Sequence, residues 1–276
     1  MTRFLLLCLA FSFAAVAAPP VGVPTQPVRE IETGFRQMYN LEFDQAHQTF
    51  ASWQRQHPTD PIGPASNAAA YLYSEFDRLN ILHSELFVDD GLFKHRPKAV
   101  ADPTVRQAFE EQLAKAEQLA DKILSQIPEQ TDALFAKILT LGLRADYLSL
   151  IERRDLEALR IVKTSRATAE KLLSIDPSYY DAYLAPGVEN YLLSIKPAPV
   201  RWLLKMNGAE TDRERGIQDL QLAAEKGHYL SPYARLLLAV AALRANDRPK
   251  AAELLADLAR EFPHNRLYAQ ELARLK

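Results

Sequence analysis

The chain has 276 residues, of which 48% are apolar and only nine are glycine, and its formal net charge is −2. Because 33 basic residues face 35 acidic ones, there is no basic surplus to attract nucleic acid or an anionic membrane, and neither is a predicted partner. The length is enough to bury a large core in one or two domains, and the scarcity of glycine favours a helical protein.

The first 17 residues are predicted to be a cleaved export signal. Arg3 gives a positive start, residues 4–14 are apolar, and Ala15-Val16-Ala17 is a small-residue cleavage pattern. A membrane anchor is the alternative, but the apolar run is shorter than the roughly 20 residues that a spanning helix needs. Cleavage removes Cys8, the single cysteine, so the mature chain has no thiol nucleophile. We expect a periplasmic or secreted protein with no membrane span.

Helical periodicity begins behind a short spacer. Residues 18–27, APPVGVPTQP, are predicted to be a Pro-rich linker. One helix is then predicted over about 28–39 and its partner over about 43–56, and Pro61 opens a third helix. Between residues 83 and 101 the helical period fails, and we interpret this stretch as an inserted loop.

The middle of the chain predicts further long helices. One starts at Asp102-Pro103 and runs to Gln126, the next starts at Thr131 or Asp132, and its partner covers about 153–174. Another pair starts near Ser178. Pro186 lies inside its first helix and is predicted to kink it, because proline removes a backbone donor.

The C-terminal part predicts a helix capped by Thr211 or Asp212, a helix pair and a final helix. Residues 231–265 read as two antiparallel helices, which Ser231 and Asp247 are predicted to cap. Residues 266–275 read as a capping helix with its charged side chains turned outward.

A four-point pattern recurs five times. A small residue is followed four positions later by one apolar residue and seven positions later by another, and proline closes four of the five sets. The sets are Ala46/Phe50/Trp53/Pro58, Ala116/Ala120/Ile123/Pro128, Ser165/Ala169/Leu172/Pro177, Gly216/Leu220/Ala223/His228 and Ala251/Leu255/Leu258/Pro263. A small residue lets two helices approach closely, while the two apolar residues fill the seam between them.

This pattern resembles the second helix of the tetratricopeptide repeat, a 34-residue helix-turn-helix unit. The resemblance covers about Pro27 to the C terminus, and the uneven spacing of the five sets implies degenerate repeats. From Asp181 onward the chain looks like exported bacterial members of that superfamily. The expected fold is all-α: an irregular solenoid of about five antiparallel helix pairs plus a C-terminal capping helix, in one domain over residues 28–276.

The resemblance implies that a protein or peptide partner binds on the concave face formed by the first helix of each pair. The carboxylate-clamp version of this site uses Lys and Asn, and the matching positions here carry neither; they are Val28, Ile31, Phe35, Ile62, Ala65 and Ala69. The predicted partner-binding residues are Phe35, Met38, Tyr39, Leu72, Tyr73, Phe135, Leu139 and Tyr191. Such a face suits an apolar helix or an extended segment. In the alternative, superhelical packing or the inserted loop covers the face.

No motif for catalysis is evident. The chain has no glycine-rich phosphate loop, no G-x-S-x-G and no H-E-x-x-H, so no catalytic residue and no cofactor is predicted. The densest polar cluster lies in the inserted loop and consists of His83, Glu85, Asp89, Asp90 and His95. These are ligand types for a divalent metal, but their spacing matches no zinc or calcium motif, so we interpret them as a solvated loop.

The predicted function is a non-catalytic scaffold that binds other proteins in the periplasm or cell envelope. Two alternatives stay open. A metal-dependent hydrolase would use the 83–95 loop and hold a metal tightly. A small-ligand carrier would need an enclosed cavity beside Pro186 and Trp202.

Overall fold

The structure, a computed structural model, describes residues 27–82, 95, 98–194 and 212–275. The predicted signal peptide, nearly all of the linker and most of the 83–101 insert lie outside these residues. The described residues form eleven α-helices. They are α1 (Pro27–Tyr39), α2 (Phe43–Gln56), α3 (Ile62–Leu79), α4 (Pro103–Gln126), α5 (Thr131–Asp146), α6 (Asp155–Ile175), α7 (Leu184–Ser194), α8 (Arg213–Lys226), α9 (Ser231–Arg244), α10 (Arg248–Glu261) and α11 (Arg266–Arg274).

The all-α prediction is confirmed. Each helix packs mainly on its neighbours in the chain, which is the arrangement of a helical repeat array. All five predicted small residues are buried, as are the apolar residues of their sets except Ile123, which is partly buried. At one seam, a side chain on Gly34 of α1 would collide with the ring of Phe50 on α2. Small residues therefore do allow close helix pairing here.

The aspartate caps are confirmed, whereas the serine cap is wrong. The carboxylates of Asp102, Asp212 and Asp247 each accept a backbone N–H from the first turn of the helix that follows. Ser231 instead lies inside the first turn of α9, and its hydroxyl donates to the carbonyl oxygen of Ala224 at 2.6 Å. It thereby ties α9 to the end of α8.

The helix that contains Pro186 begins later than predicted. A 3₁₀ turn covers Tyr180–Tyr183, and α7 starts only at Leu184. Pro186 consequently lies in the first turn of α7, where its missing N–H has no intrahelical partner to lose. The predicted mid-helix kink is therefore wrong.

Helix α5 ends in a π-helical turn that the sequence did not predict. The turn covers Tyr147–Ile151 and follows directly on Asp146. Four of its five side chains are buried, so it belongs to the core. π turns inside longer helices are frequent at functional sites.

The two ends of the array touch one another. The side-chain amide of Asn265 donates to the carbonyl oxygen of Tyr39 at 2.7 Å, and Arg266 of α11 pairs with Asp77 of α3 at 2.8 Å. Tyr268 and Glu271 of α11 are buried. The predicted C-terminal helix is present, and its two arginines are exposed as predicted, whereas Glu271 is buried because α11 also packs towards α1 and α3.

Candidate ligand pocket

The eight predicted partner-binding residues lie in the interior. Seven of them are buried, and Tyr73 is partly buried. Tyrosines from the C-terminal half cover this face. The ring of Tyr229 packs on Phe35 with the two centroids 5.2 Å apart and on Phe135 at 5.8 Å, and the ring of Tyr233 meets Tyr73 at 5.9 Å. An open groove is therefore wrong for these side chains, and superhelical packing covers them.

Five of the eight residues nevertheless share one feature, because they line a cavity of about 90 Å³ that is partly open to solvent. They are Phe35, Met38, Tyr39, Tyr73 and Leu139. We call this cavity the apolar pocket. The other three lie elsewhere, since Leu72 and Phe135 belong to the main core and Tyr191 packs with Leu220 and Ala241 in a separate cluster.

One face of α5 forms a wall of the apolar pocket. Leu139, Gly142, Leu143 and Asp146 follow one another at helical spacing and all line it. A Cβ atom built on Gly142 would meet no atom within 4 Å. The pocket therefore has free room directly above this helix. The opposite side comes from α6, α7 and the start of α9, including Val188, next to the predicted cavity site at Pro186.

Asp146 is the acidic group of the apolar pocket. Its Oδ2 accepts a hydrogen bond from the Tyr233 hydroxyl at 3.2 Å, and among the described residues no Lys, Arg or His pairs with it. Burial raises the pKa of this carboxyl to about 7, and the Tyr233 hydrogen bond only partly opposes that effect. The residue sits where α5 changes into the π turn.

The hydroxyl of Tyr39 is a second polar group beside the apolar pocket. It is buried and makes no hydrogen bond of ordinary geometry with the described residues. Burial raises the pKa of this phenol well above its usual range, and a looser hydrogen bond with Tyr73 acts against that rise. The Tyr39 phenol therefore stays neutral.

A second recess of about 160 Å³ also borders Tyr39, and we call it the polar recess. Glu261 of α10 is held there between Arg36 at 2.7 Å and Arg235 at 2.6 Å. Burial acts to raise the pKa of Glu261, but the hydrogen bonds from Arg235 and Arg36 outweigh it and lower the pKa. The two arginines therefore neutralise Glu261.

The segment 228–230 separates the two cavities. Tyr229 lines the polar recess and Leu230 lines the apolar pocket. The buried carboxylate of Asp181 fixes this segment, because it accepts the backbone N–H groups of all three residues at 2.7–2.9 Å. Burial raises the pKa of Asp181, and the three N–H groups act against that rise.

Metal and membrane sites find no support in the described residues. There, no group of three or more His, Cys, Asp or Glu side chains is arranged to hold a metal ion. Apart from His95, the predicted cluster at 83–95 lies outside the described residues. Among the helices that the structure describes, none is both long enough and apolar enough to cross a membrane.

Comparison with known proteins gives no family. No protein-family model matches the chain, and no curated protein matches it. The resemblance to tetratricopeptide repeats stays a prediction, carried by the five four-point sets.

The sequence missed Asp146, Gly142 and Tyr233 as pocket residues. A signal was available for the first two. Asp146 lies seven residues after Leu139 and three after Leu143, and this spacing places it on the same helical face, together with Gly142. No comparable signal marks Tyr233. Its place in the pocket depends on how α9 packs against α3 and α5.

Proposed function

We propose that this chain is a non-catalytic helical-repeat binding protein, exported from the cytoplasm, that holds a small and mainly apolar ligand in the apolar pocket. The observation that carries the proposal is the pocket itself. Its wall is apolar, it lies inside the array, and both halves of the chain contribute side chains to it. Export rests on the N-terminal sequence alone.

The size of the pocket supports a ligand. A single water needs about 10–15 Å³ of such space, and this cavity has about 90 Å³. A ligand that fills this space withdraws apolar surface from water, and the volume limits the ligand to a small molecule.

The function predicted first from the sequence, a protein scaffold, has less support than ligand binding. A partner helix on the concave face would have to displace Tyr229 and Tyr233, whose rings already pack on Phe35, Phe135 and Tyr73. Partner capture through that face would therefore carry the cost of exposing buried aromatic surface.

The test is a thermal-shift and calorimetric titration of the purified chain with toluene and 3-methylbutan-1-ol. We expect saturable binding, because a ligand that binds only the folded state raises the melting temperature with its concentration. Gly142→Leu should abolish binding by filling the pocket, whereas Gly142→Ala should retain it.

Gly142→Ala is the control for Gly142→Leu, because both variants change the same position. Both variants remove the same glycine, and only the larger side chain occupies the cavity. Equal shifts in both variants, or no saturable binding of either probe to the unmodified chain, would show that the pocket is not a ligand site.

A further inference from the structure

The acidic end of the apolar pocket points to a ligand class. We infer that the pocket takes a small organic cation, an aliphatic ammonium whose charged head pairs with Asp146 and whose hydrocarbon body fills the space beside Gly142. This inference rests on the proposed function, because it needs the pocket to be a ligand site.

The first support is the unsatisfied charge capacity of Asp146. Its one described hydrogen bond comes from a neutral phenol, and the described residues that line the pocket include no Lys, Arg or His. Asp146 is partly buried, and withdrawing a carboxylate from water without a cation is costly. An ammonium head supplies the missing cation and brings its own N–H donors.

The second support is the arrangement of aromatic rings. Tyr39 and Tyr73 have ring centroids 5.6 Å apart with their planes at 90°, and Tyr73 and Tyr233 are 5.9 Å apart at 74°. All three residues line the pocket. The rings of each pair pack edge to face, so the three phenols together border the pocket beside Asp146, and an aromatic face turned to the cavity attracts an ammonium group.

The third support is the hydrogen-bonding inventory. The Tyr233 hydroxyl donates its proton to Asp146, and its oxygen can accept from an ammonium N–H. An anionic ligand would instead meet a carboxylate with no described cation to offset the repulsion. The described lining thus favours a cation over an anion of the same shape.

Asp146 also makes the expected binding proton-linked. The phenols of Tyr233 on α9 and Tyr73 on α3 face it, and burial raises both of their pKa values well above the usual range, so neither titrates near neutral pH. A bound cation favours the ionised carboxylate. Binding near pH 7 should therefore release a fraction of a proton and weaken as the pH falls.

The experiment compares three probes of nearly one shape on the purified chain at pH 8: 3-methylbutylamine, 3-methylbutan-1-ol and 3-methylbutanoate. We expect the amine to bind at least about tenfold more tightly than the alcohol, and the anion not to bind. In Asp146→Asn the amine should lose at least about tenfold in affinity while the alcohol changes by less than about twofold.

A measurement on the unmodified chain guards against a poorly folded variant. Calorimetry at pH 7 in buffers of different ionisation enthalpy should show proton release with the amine and none with the alcohol. Binding of the alcohol without preference for the amine overturns the ligand class and leaves the proposed function standing. Absence of binding by all three probes overturns both.

Discussion

The apolar pocket and the polar recess both border Tyr39, and Asp146 in the first is in a different condition from Glu261 in the second. Glu261 of the polar recess is held by Arg36 and Arg235, and its pKa is lowered. Asp146 of the apolar pocket has only the Tyr233 hydroxyl, and burial raises its pKa to about 7. Neighbouring cavities thus differ in whether the protein itself supplies the counter-charge.

This difference distinguishes a carboxylate that stabilises the fold from one that is available to pair with a ligand. Glu261 completes a three-residue ion-pair network across α1, α9 and α10, so its contribution is already used in folding. Asp146 keeps an acceptor oxygen and a net charge that no described residue uses. Asp146 can therefore pair with a charged ligand, whereas Glu261 already has its partners.

The largest expected effect comes from the wall shared by the two cavities. Asp181→Ala should lower the free energy of unfolding by about 3 kcal/mol or more, because three buried backbone N–H groups lose their acceptor. Urea denaturation measures this loss. Asp181→Asn keeps one acceptor oxygen and should lose less. A melt of Asp181→Ala that matches the unmodified chain would contradict the assigned role.

The comparison itself is tested by neutralising each carboxylate at pH 8. Asp146→Asn should raise the free energy of unfolding by about 1–3 kcal/mol, because it removes the cost of a partly buried charge that no described cation offsets. Glu261→Gln should lower it by about 1 kcal/mol, since it weakens a partly exposed ion-pair network. Changes of the same sign in both variants would remove the distinction between the cavities.

The pH dependence of the two effects should also be opposite. The folded-state pKa of Asp146 exceeds its unfolded value, so its cost is absent below about pH 4, grows as the pH rises through about 7, and is constant above. The lowered pKa of Glu261 means that its stabilisation is present above its unfolded pKa and is lost as the pH falls through the folded one. The benefit of Asp146→Asn should therefore vanish near pH 4.

The smallest expected effect concerns the free room above α5. Gly142→Ala should raise the free energy of unfolding by about 0.5–1 kcal/mol, because alanine is the better helix former and its Cβ meets no atom. Gly34→Ala is the matched control, since its Cβ collides with Phe50, and it should destabilise. Destabilisation by Gly142→Ala would show that this face of α5 is already filled.

The sequence predicted the parts of the fold that local chemistry decides. Asp102, Asp212 and Asp247 cap their helices because a short acidic side chain reaches the first-turn N–H groups wherever the chain goes next. The buried seam at Ala251 and Leu255 follows from helical spacing alone. These features depend on neighbours in the chain.

The pocket could not be predicted in the same way, because it depends on how far the array curves. The concave residues Phe35 and Tyr39 were identified from spacing, but whether they face solvent or Tyr229 is decided by packing between helices almost 200 positions apart in sequence. The environment of Asp146 depends likewise on α9. Pro186 was misplaced because the 3₁₀ turn before α7 delays the start of that helix.

The contact between the two ends has a consequence for how the chain folds. In an open repeat array every contact is local, and terminal repeats fray independently of the centre. Here the hydrogen bond from Asn265 to Tyr39 joins residues 226 positions apart. Its formation carries the entropy of closing almost the whole chain, which raises the contact order and slows folding. In return, neither terminus can detach without uncovering the other, so hydrogen exchange at α1 and α11 should report one cooperative opening.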